Sequence, residues 1–297
     1  MLYYLLALVT ASLSSVMNVV NGELKNFYDL YSATAMIHAI GLVPITLYVL
    51  LRRVRVLSVH GVPWRCYLGG AVGVVTVVCS AAPYGHISVS AIVALGLLGQ
   101  TVTSLLVDQF GLFELPKKPF NRNKLIGLAF ACAGIAYMVS GSAFSLVPVL
   151  LAFLAGVSIV VSRCFNAELA ARKGTPYSTW YNYVVGLGVS LAVMLCMLPS
   201  GAASLPSAVS RKGWIYCGGL MGNVTVTLST ILTPRIPAFI LTLILFSGQI
   251  FTGILLDAAL TGSFPMENLV GGVLAAAGLS LNTILDQRAL RKQKQAA

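Results

Sequence analysis

Ten runs of mostly apolar residues, each 17 to 22 long, divide this chain: 2–21, 31–51, 66–82, 87–107, 124–141, 146–165, 178–198, 213–232, 236–257 and 268–285. A helix needs about 20 apolar residues to cross a hydrocarbon core about 30 Å thick. Lipid offers no partner for a backbone amide, so a spanning segment must satisfy its own hydrogen bonds. The runs lack the alternating pattern that barrel strands require. The expected fold class is therefore an all-α integral membrane protein with ten transmembrane helices. The third and fourth runs have the weakest boundary, since only "PYGH" (83–86) parts them. Composition agrees. Hydrophobic residues make up 58% of the chain and charged residues 9%, with mean hydropathy +0.89. Soluble domains carry about 25% charged residues.

The net charge of +11 raises the question of nucleic acid. Charge placement argues against it, because Lys and Arg form short clusters between apolar runs, with no basic face and no interleaved aromatics. The clusters instead set an orientation. With the N-terminus in the cytoplasm, fifteen Lys and Arg fall in inside loops and three (Lys25, Arg211, Lys212) in outside loops, and Arg163 lies within a run. Both termini are expected to be cytoplasmic. The first segment has no basic leader and recurs in the middle of the chain, so it is expected to be a retained helix and not a signal peptide. The six cysteines, Cys66, Cys79, Cys132, Cys164, Cys196 and Cys217, form no CxxC pair. They fit small core side chains better than metal or redox chemistry.

The chain also repeats itself. "NGEL" (21–24) closes the first run and "NAEL" (166–169) closes the sixth. At a shift of 145, residues 5–42 meet 150–187 with 10 identities in 38. At a shift of 149, residues 67–108 meet 216–257 with 14 in 42, including Gly99, Gln100 and Thr103 against Gly248, Gln249 and Thr252, and Asp108 against Asp257. At a shift of 144, "LIG" (125–127) meets "LVG" (269–271). Apolar sequence matches itself by chance, so the recurring Asn, Glu, Gln, Thr and Asp carry the argument. Two repeats follow, 1–143 and 144–297. Five helices per repeat is an odd number, so the second must enter the membrane from the opposite side. Such inverted repeats serve alternating access in secondary transporters.

The stretch "LGLLGQTVTSLLVDQFGLFELPKKPFNRNKLIGLAFACAGIAYMV" (95–139) resembles the YdcZ-type branch of the drug/metabolite transporter superfamily. The shared pattern is a Gly-Gln pair, small residues, Asp and Gly near a helix end, a basic loop and a Gly-rich last helix. The first-helix "NxxL" and the second-helix Gly41 and Gly186 also fit. The resemblance covers both halves. It implies a ten-helix transporter of small organic solutes in a bacterial inner membrane. Distant relatives that export multiple drugs carry a Glu midway along their first helix. Here that stretch is "ALVTASLSS". Their exchange of protons for cationic drugs is not carried over.

Polar residues inside the runs are the candidates for a solute path. Asn18 and Asn21 are three apart and share a helix face. Their repeat mates are Arg163 and Asn166. These side chains line a path or bond across helices. Arg163 either snorkels to the headgroups or faces the path, where it would favour an anionic or carboxylate-bearing solute. Glu23 and Glu168 are expected beyond the hydrocarbon as solvated carboxylates, or as gates, one at each mouth, each meeting a basic partner. His38 is the one histidine well inside a run, either a proton-coupling group or a satisfied hydrogen-bonding group. Its mate is Tyr183, in "YSTWYNYVVG" (177–186), where Asn182 is also deep. Gln100 and Gln249 are interhelical glue or solute contacts in equal measure. Asp108 and Asp257 are expected to mark helix ends, with Lys117 or Lys118 as a basic partner for Asp108.

No nucleotide-binding, hydrolase or metalloprotease motif occurs, and the runs hold no carboxylate pair, so neither an enzyme nor an ATP-driven pump is expected. No cofactor or metal is implied. The leading expectation is a secondary active transporter working by alternating access on a small-molecule substrate within the lipid bilayer, with a coupling proton or ion unassigned. The alternatives are a flippase for lipid or lipid-linked headgroups and a non-transporting membrane scaffold. A monomer suffices for this arrangement, and a homodimer is compatible with it.

Overall fold

The computed structural model describes residues 2–83, 89–115, 117, 129, 133, 146–206, 208–261 and 270. The fifth and tenth runs lie outside these residues apart from isolated positions, as do Cys132 and the side chain of Asp257. Eight α-helices are described: α1 Leu2–Phe27, α2 Leu30–Leu51, α3 Gly69–Ala81, α4 Val89–Phe110, α5 Leu146–Lys173, α6 Thr175–Met197, α7 Cys217–Leu232 and α8 Ala238–Thr261. There is no strand among the described residues. Five segments, Leu2–Phe27, Leu30–Leu51, Leu146–Lys173, Thr175–Ser200 and Gly213–Leu232, are long and apolar enough to cross a membrane. Short 3-10 turns, Trp64–Leu68 and Gly213–Tyr216, lead into α3 and α7.

Two helices outrun their apolar stretches. "NGEL" and "NAEL" were expected to close the first and sixth helices, but α1 continues to Phe27 and α5 to Lys173. The cause is the last residue of each tetrapeptide. Leu24 and Leu169 are each 1% exposed, so the next turn still buries an apolar side chain. Leu24 packs with Ile215, and Leu169 with Cys66. Under the shifts of 145 and 149 these two contacts are the same contact with the halves exchanged.

That exchange runs through the molecule. Helix α1 packs on α7 and α8, while α5 packs on α3 and α4. Helix α2 lies against α6 and α7, and α6 against α2 and α3. Close crossings depend on paired glycines. A Cβ on Gly69 would collide with the Asn166 amide, and one on Gly218 with the Asn21 amide. A Cβ on Gly41 would strike the Tyr183 ring, and one on Gly186 the His38 ring. Each half thus supplies the knob for the other half's gap. Large apolar side chains remain outside, among them Leu50 (68% exposed), Leu51 (74%) and Leu195 (56%), as a lipid-facing surface requires.

Candidate functional site

Polar groups gather at two ends and in one buried seam. At the first end, the Glu168 side chain is 1% exposed. Arg65, in the turn before α3, places Nη2 3.1 Å from Glu168 Oε1. Arg172, one turn later on α5, has Nη2 3.6 Å from the same oxygen. Arg172 also donates to Glu114. The chain reaches that point because Phe113 and Glu114 adopt left-handed φ values of 58° and 56°, which non-glycine residues rarely do. The expectation of a solvated Glu168 is corrected here. Two arginines and the continuing helix close over it, whereas a lone carboxylate would have stayed in water.

The second end repeats the pairing loosely. Glu23 Oε2 lies 3.4 Å from Lys212 Nζ, with side chains 38% and 64% exposed. Lys212 precedes α7 as Arg65 precedes α3. A cavity of about 440 Å³ opens here, lined by Glu23, Asn26, Phe27, Ser210, Arg211 and Lys212 among others. At the first end a buried carboxylate meets two partly exposed arginines, and at the second a looser pair borders an open cavity.

Between them runs a seam made by α4, α5 and α8. Arg163 is 8% exposed. Its Nη2 donates to Thr242 Oγ1 at 3.2 Å, and Thr242 Oγ1 lies 2.7 Å from Ser104 Oγ. Its Nη1 is buried without a hydrogen-bond partner. The snorkelling alternative for Arg163 fails because α5 runs ten residues beyond it, about 15 Å of helix. Asp108 lies near the end of α4, as expected, but its partner differs from expectation. Its two oxygens accept the Ala238 and Phe239 amides at 2.9 and 3.0 Å, so it caps α8 from a distance and no lysine is needed. The free amides and positive end of a helix N-terminus suit a carboxylate well.

The remaining candidates scatter. Asn166 and Asn182 meet, with Nδ2 of the first donating to Oδ1 of the second at 2.9 Å, and Ser178 Oγ donates to the Asn166 carbonyl at 2.6 Å. Asn21, the mate of Asn166, is half-buried, and its Oδ1 has no partner. Asn18 is exposed. His38 Nδ1 lies 2.8 Å from the Thr34 carbonyl, and its ring centroid is 6.0 Å from that of Tyr183 at the α2–α6 crossing. Gln100 and Gln249 are half-buried, Gln100 where α4 crosses α5 and Gln249 where its carbonyl accepts Ser15 Oγ at 3.1 Å. Sequence reasoning passed over Ser104, Thr242 and Arg65. A signal existed for Thr242, since its repeat mate is Val93 and a hydroxyl that breaks an apolar match is informative.

Residues 2–137 and 147–281 each match the family model described as "Putative inner membrane exporter, YdcZ". A solved structure described as "Crystal structure of protein" superposes with TM-score 0.68 at 17% identity, covering 96% of this chain and 97% of that one. At that identity the likeness concerns the fold. No curated protein matches.

Proposed function

The chain belongs to the YdcZ-type branch of the drug/metabolite transporters, whose model is described as an inner membrane exporter, and from that membership we propose that it moves a small organic solute by alternating access. Ten helices in two inverted five-helix repeats, 1–143 and 144–297, form the machine in this reading. The observation that carries it is the exchange of contacts between the halves. Two arrangements related by swapping the halves would have similar energies, which is what alternating access needs.

Glu168 with Arg65 and Glu23 with Lys212 act as the two gates, the first closed and the second loose. The path runs between them, past Asn21 and the Arg163 seam. Asn166, Asn182, Tyr183, Gln100 and Gln249 support that path by bonding or packing beside it, while Asn18 is exposed on α1 and stands apart from them. His38, at the α2–α6 crossing, is the titratable group best placed for proton coupling. A flippase would need a polar groove open to the bilayer. The lateral groove of about 390 Å³ on α2 is lined by Ala39, Leu42, Val43, Thr46, Leu47 and Leu50. Its one hydroxyl, Thr46 Oγ1, accepts Trp180 Nε1 at 3.1 Å. That favours a solute carried inside the protein.

Cys66 provides a native probe. It is 0% exposed beside Arg65, behind the closed gate. In Glu168→Gln, maleimide labelling of Cys66, followed by mass spectrometry, should quicken several-fold. Labelling of Asn26→Cys in the opposite vestibule should slow in the same background. If both positions change in the same direction, alternating access is wrong and the substitution has only loosened the fold.

A further inference from the structure

We propose that the Arg163 seam is the receptor for the carboxylate of an anionic solute. This deepens the transporter reading and rests on it. The argument begins with an imbalance of charge. Arg163 is buried, and among the described residues no carboxylate lies within ion-pair distance of it. A guanidinium taken out of water without a counter-charge is costly, and inside a membrane protein such a group marks a ligand or ion site by default.

Among the described residues, the acids on the neighbouring stretches of α4 and α5 are engaged elsewhere. Both Asp108 oxygens hold the start of α8. Glu168 is five residues along α5, hence about 140° round the helix, and faces Arg65 and Arg172. Asp257 is fifteen residues along α8 from Thr242, about 22 Å away along the axis.

The guanidinium is also half used. Nη2 is held by Thr242, which Ser104 holds in turn, so the fork is fixed in place. Nη1 is left over. Thr101 is 0% exposed and its Oγ1 is unpartnered too. Thr101, Ser104 and Asp108 recur at i, i+3 and i+7 and share one face of α4. A fixed guanidinium with a free N–H edge, and a spare hydroxyl on the neighbouring helix, matches a planar carboxylate. Among the described residues this cation has no carboxylate partner, which calls for one negative charge.

Symmetry strengthens the case. The gates, the glycine crossings and the Leu24 and Leu169 contacts all recur in both halves. The Arg163 seam does not: its mates are Asn18 and Val93. The fold repeats without it, so the fold does not demand it. Arg211 and Lys212 at the vestibule outnumber Glu23 and give an approaching anion a favourable field.

The test uses the purified full chain in nanodiscs. Thermal unfolding is followed with butyrate, hexanoate and benzoate, each against its amide and the amine of the same size, at matched sodium chloride. At least one carboxylate should stabilise the protein saturably, and its amide and amine should not. Arg163→Gln should weaken the response tenfold or more. Arg163→Lys should keep a weaker response, and Thr101→Val should weaken it with Arg163 intact. If Arg163→Gln fails to fold, the Lys and Val variants decide.

Equal stabilisation by amides or amines overturns the proposal. So does no response to any of the three carboxylates, or a response untouched by these substitutions. The gate labelling of Cys66 and Asn26→Cys is independent of the solute. Reciprocal labelling with amine-selective binding would keep the transporter and reject the anion. A carboxylate response without reciprocal labelling would do the reverse.

Discussion

Asp29 and Asp108 perform the same task at distant places, each closing the start of a helix with a carboxylate. Asp29 Oδ1 accepts the Tyr31 and Ser32 amides at 2.9 and 2.8 Å, and its Oδ2 accepts the Ser204 amide and hydroxyl, both at 2.9 Å. It therefore caps α2 and ties down the loop after α6. Burial pushes its carboxyl upward, but the hydrogen bonds from Ser32 and Ser204 outweigh this and hold it below the ordinary 3.8. A carboxyl lowered in the folded state stabilises above the unfolded value, and that contribution is lost as pH falls through the folded value. Asp29→Ala should cost about 1 kcal/mol at neutral pH. The gap in melting temperature from the wild type should shrink as pH drops below 3.8. A gap constant down to acid pH would show that ionisation of Asp29 contributes nothing. At this scale the sequence was an uneven guide. It singled out Arg163 as a charge inside an apolar run, because residue type alone flags it, but it placed Glu168 in solvent, where the structure buries it. It gave no hint of Asp29, whose second partner is 175 positions away.

The positions of the described helices were legible because an apolar run of the right length can do little else in lipid. Helix ends were not. The hydropathy of "NGEL" and "NAEL" falls, yet Leu24 and Leu169 find partners on α7 and in the turn before α3. Crossings between elements were legible only as unexplained glycines. Gly156 abuts the Gly96 carbonyl and the Gln100 amide of α4, which are backbone atoms and cannot swing aside. A Cβ on Gly188 meets nothing within 4 Å. Alanine in a helix gains about 1 kcal/mol over glycine in propensity. At Gly156 overpacking of about 1–3 kcal/mol or more should outweigh that gain. Gly156→Ala should lower the folded yield and midpoint in detergent denaturation, while Gly188→Ala should be neutral or stabilising. Equal behaviour of the two variants would mean that α4 and α5 do not cross this closely.

For the whole molecule, orientation is the expectation that most needs an independent measurement. Fifteen Lys and Arg on one side against three on the other predict both termini in the cytoplasm. A C-terminal fluorescent-protein fusion should be bright, and a C-terminal alkaline phosphatase fusion inactive. The opposite pair of results would reverse the sides assigned to the Glu168 and Glu23 gates while leaving their exchange intact.

The sequence by itself determined a helical membrane chain, its internal repeat and its family, because hydropathy and recurring polar residues are local, countable properties. Only the tertiary structure decided what each polar residue does. Asn166 is bonded to Asn182, Asp108 serves a helix 130 residues later, and Glu168 is sealed by two arginines. Arg163 keeps a free edge. A polar group in lipid must find a partner, and which partner depends on helices that meet in space and not along the chain.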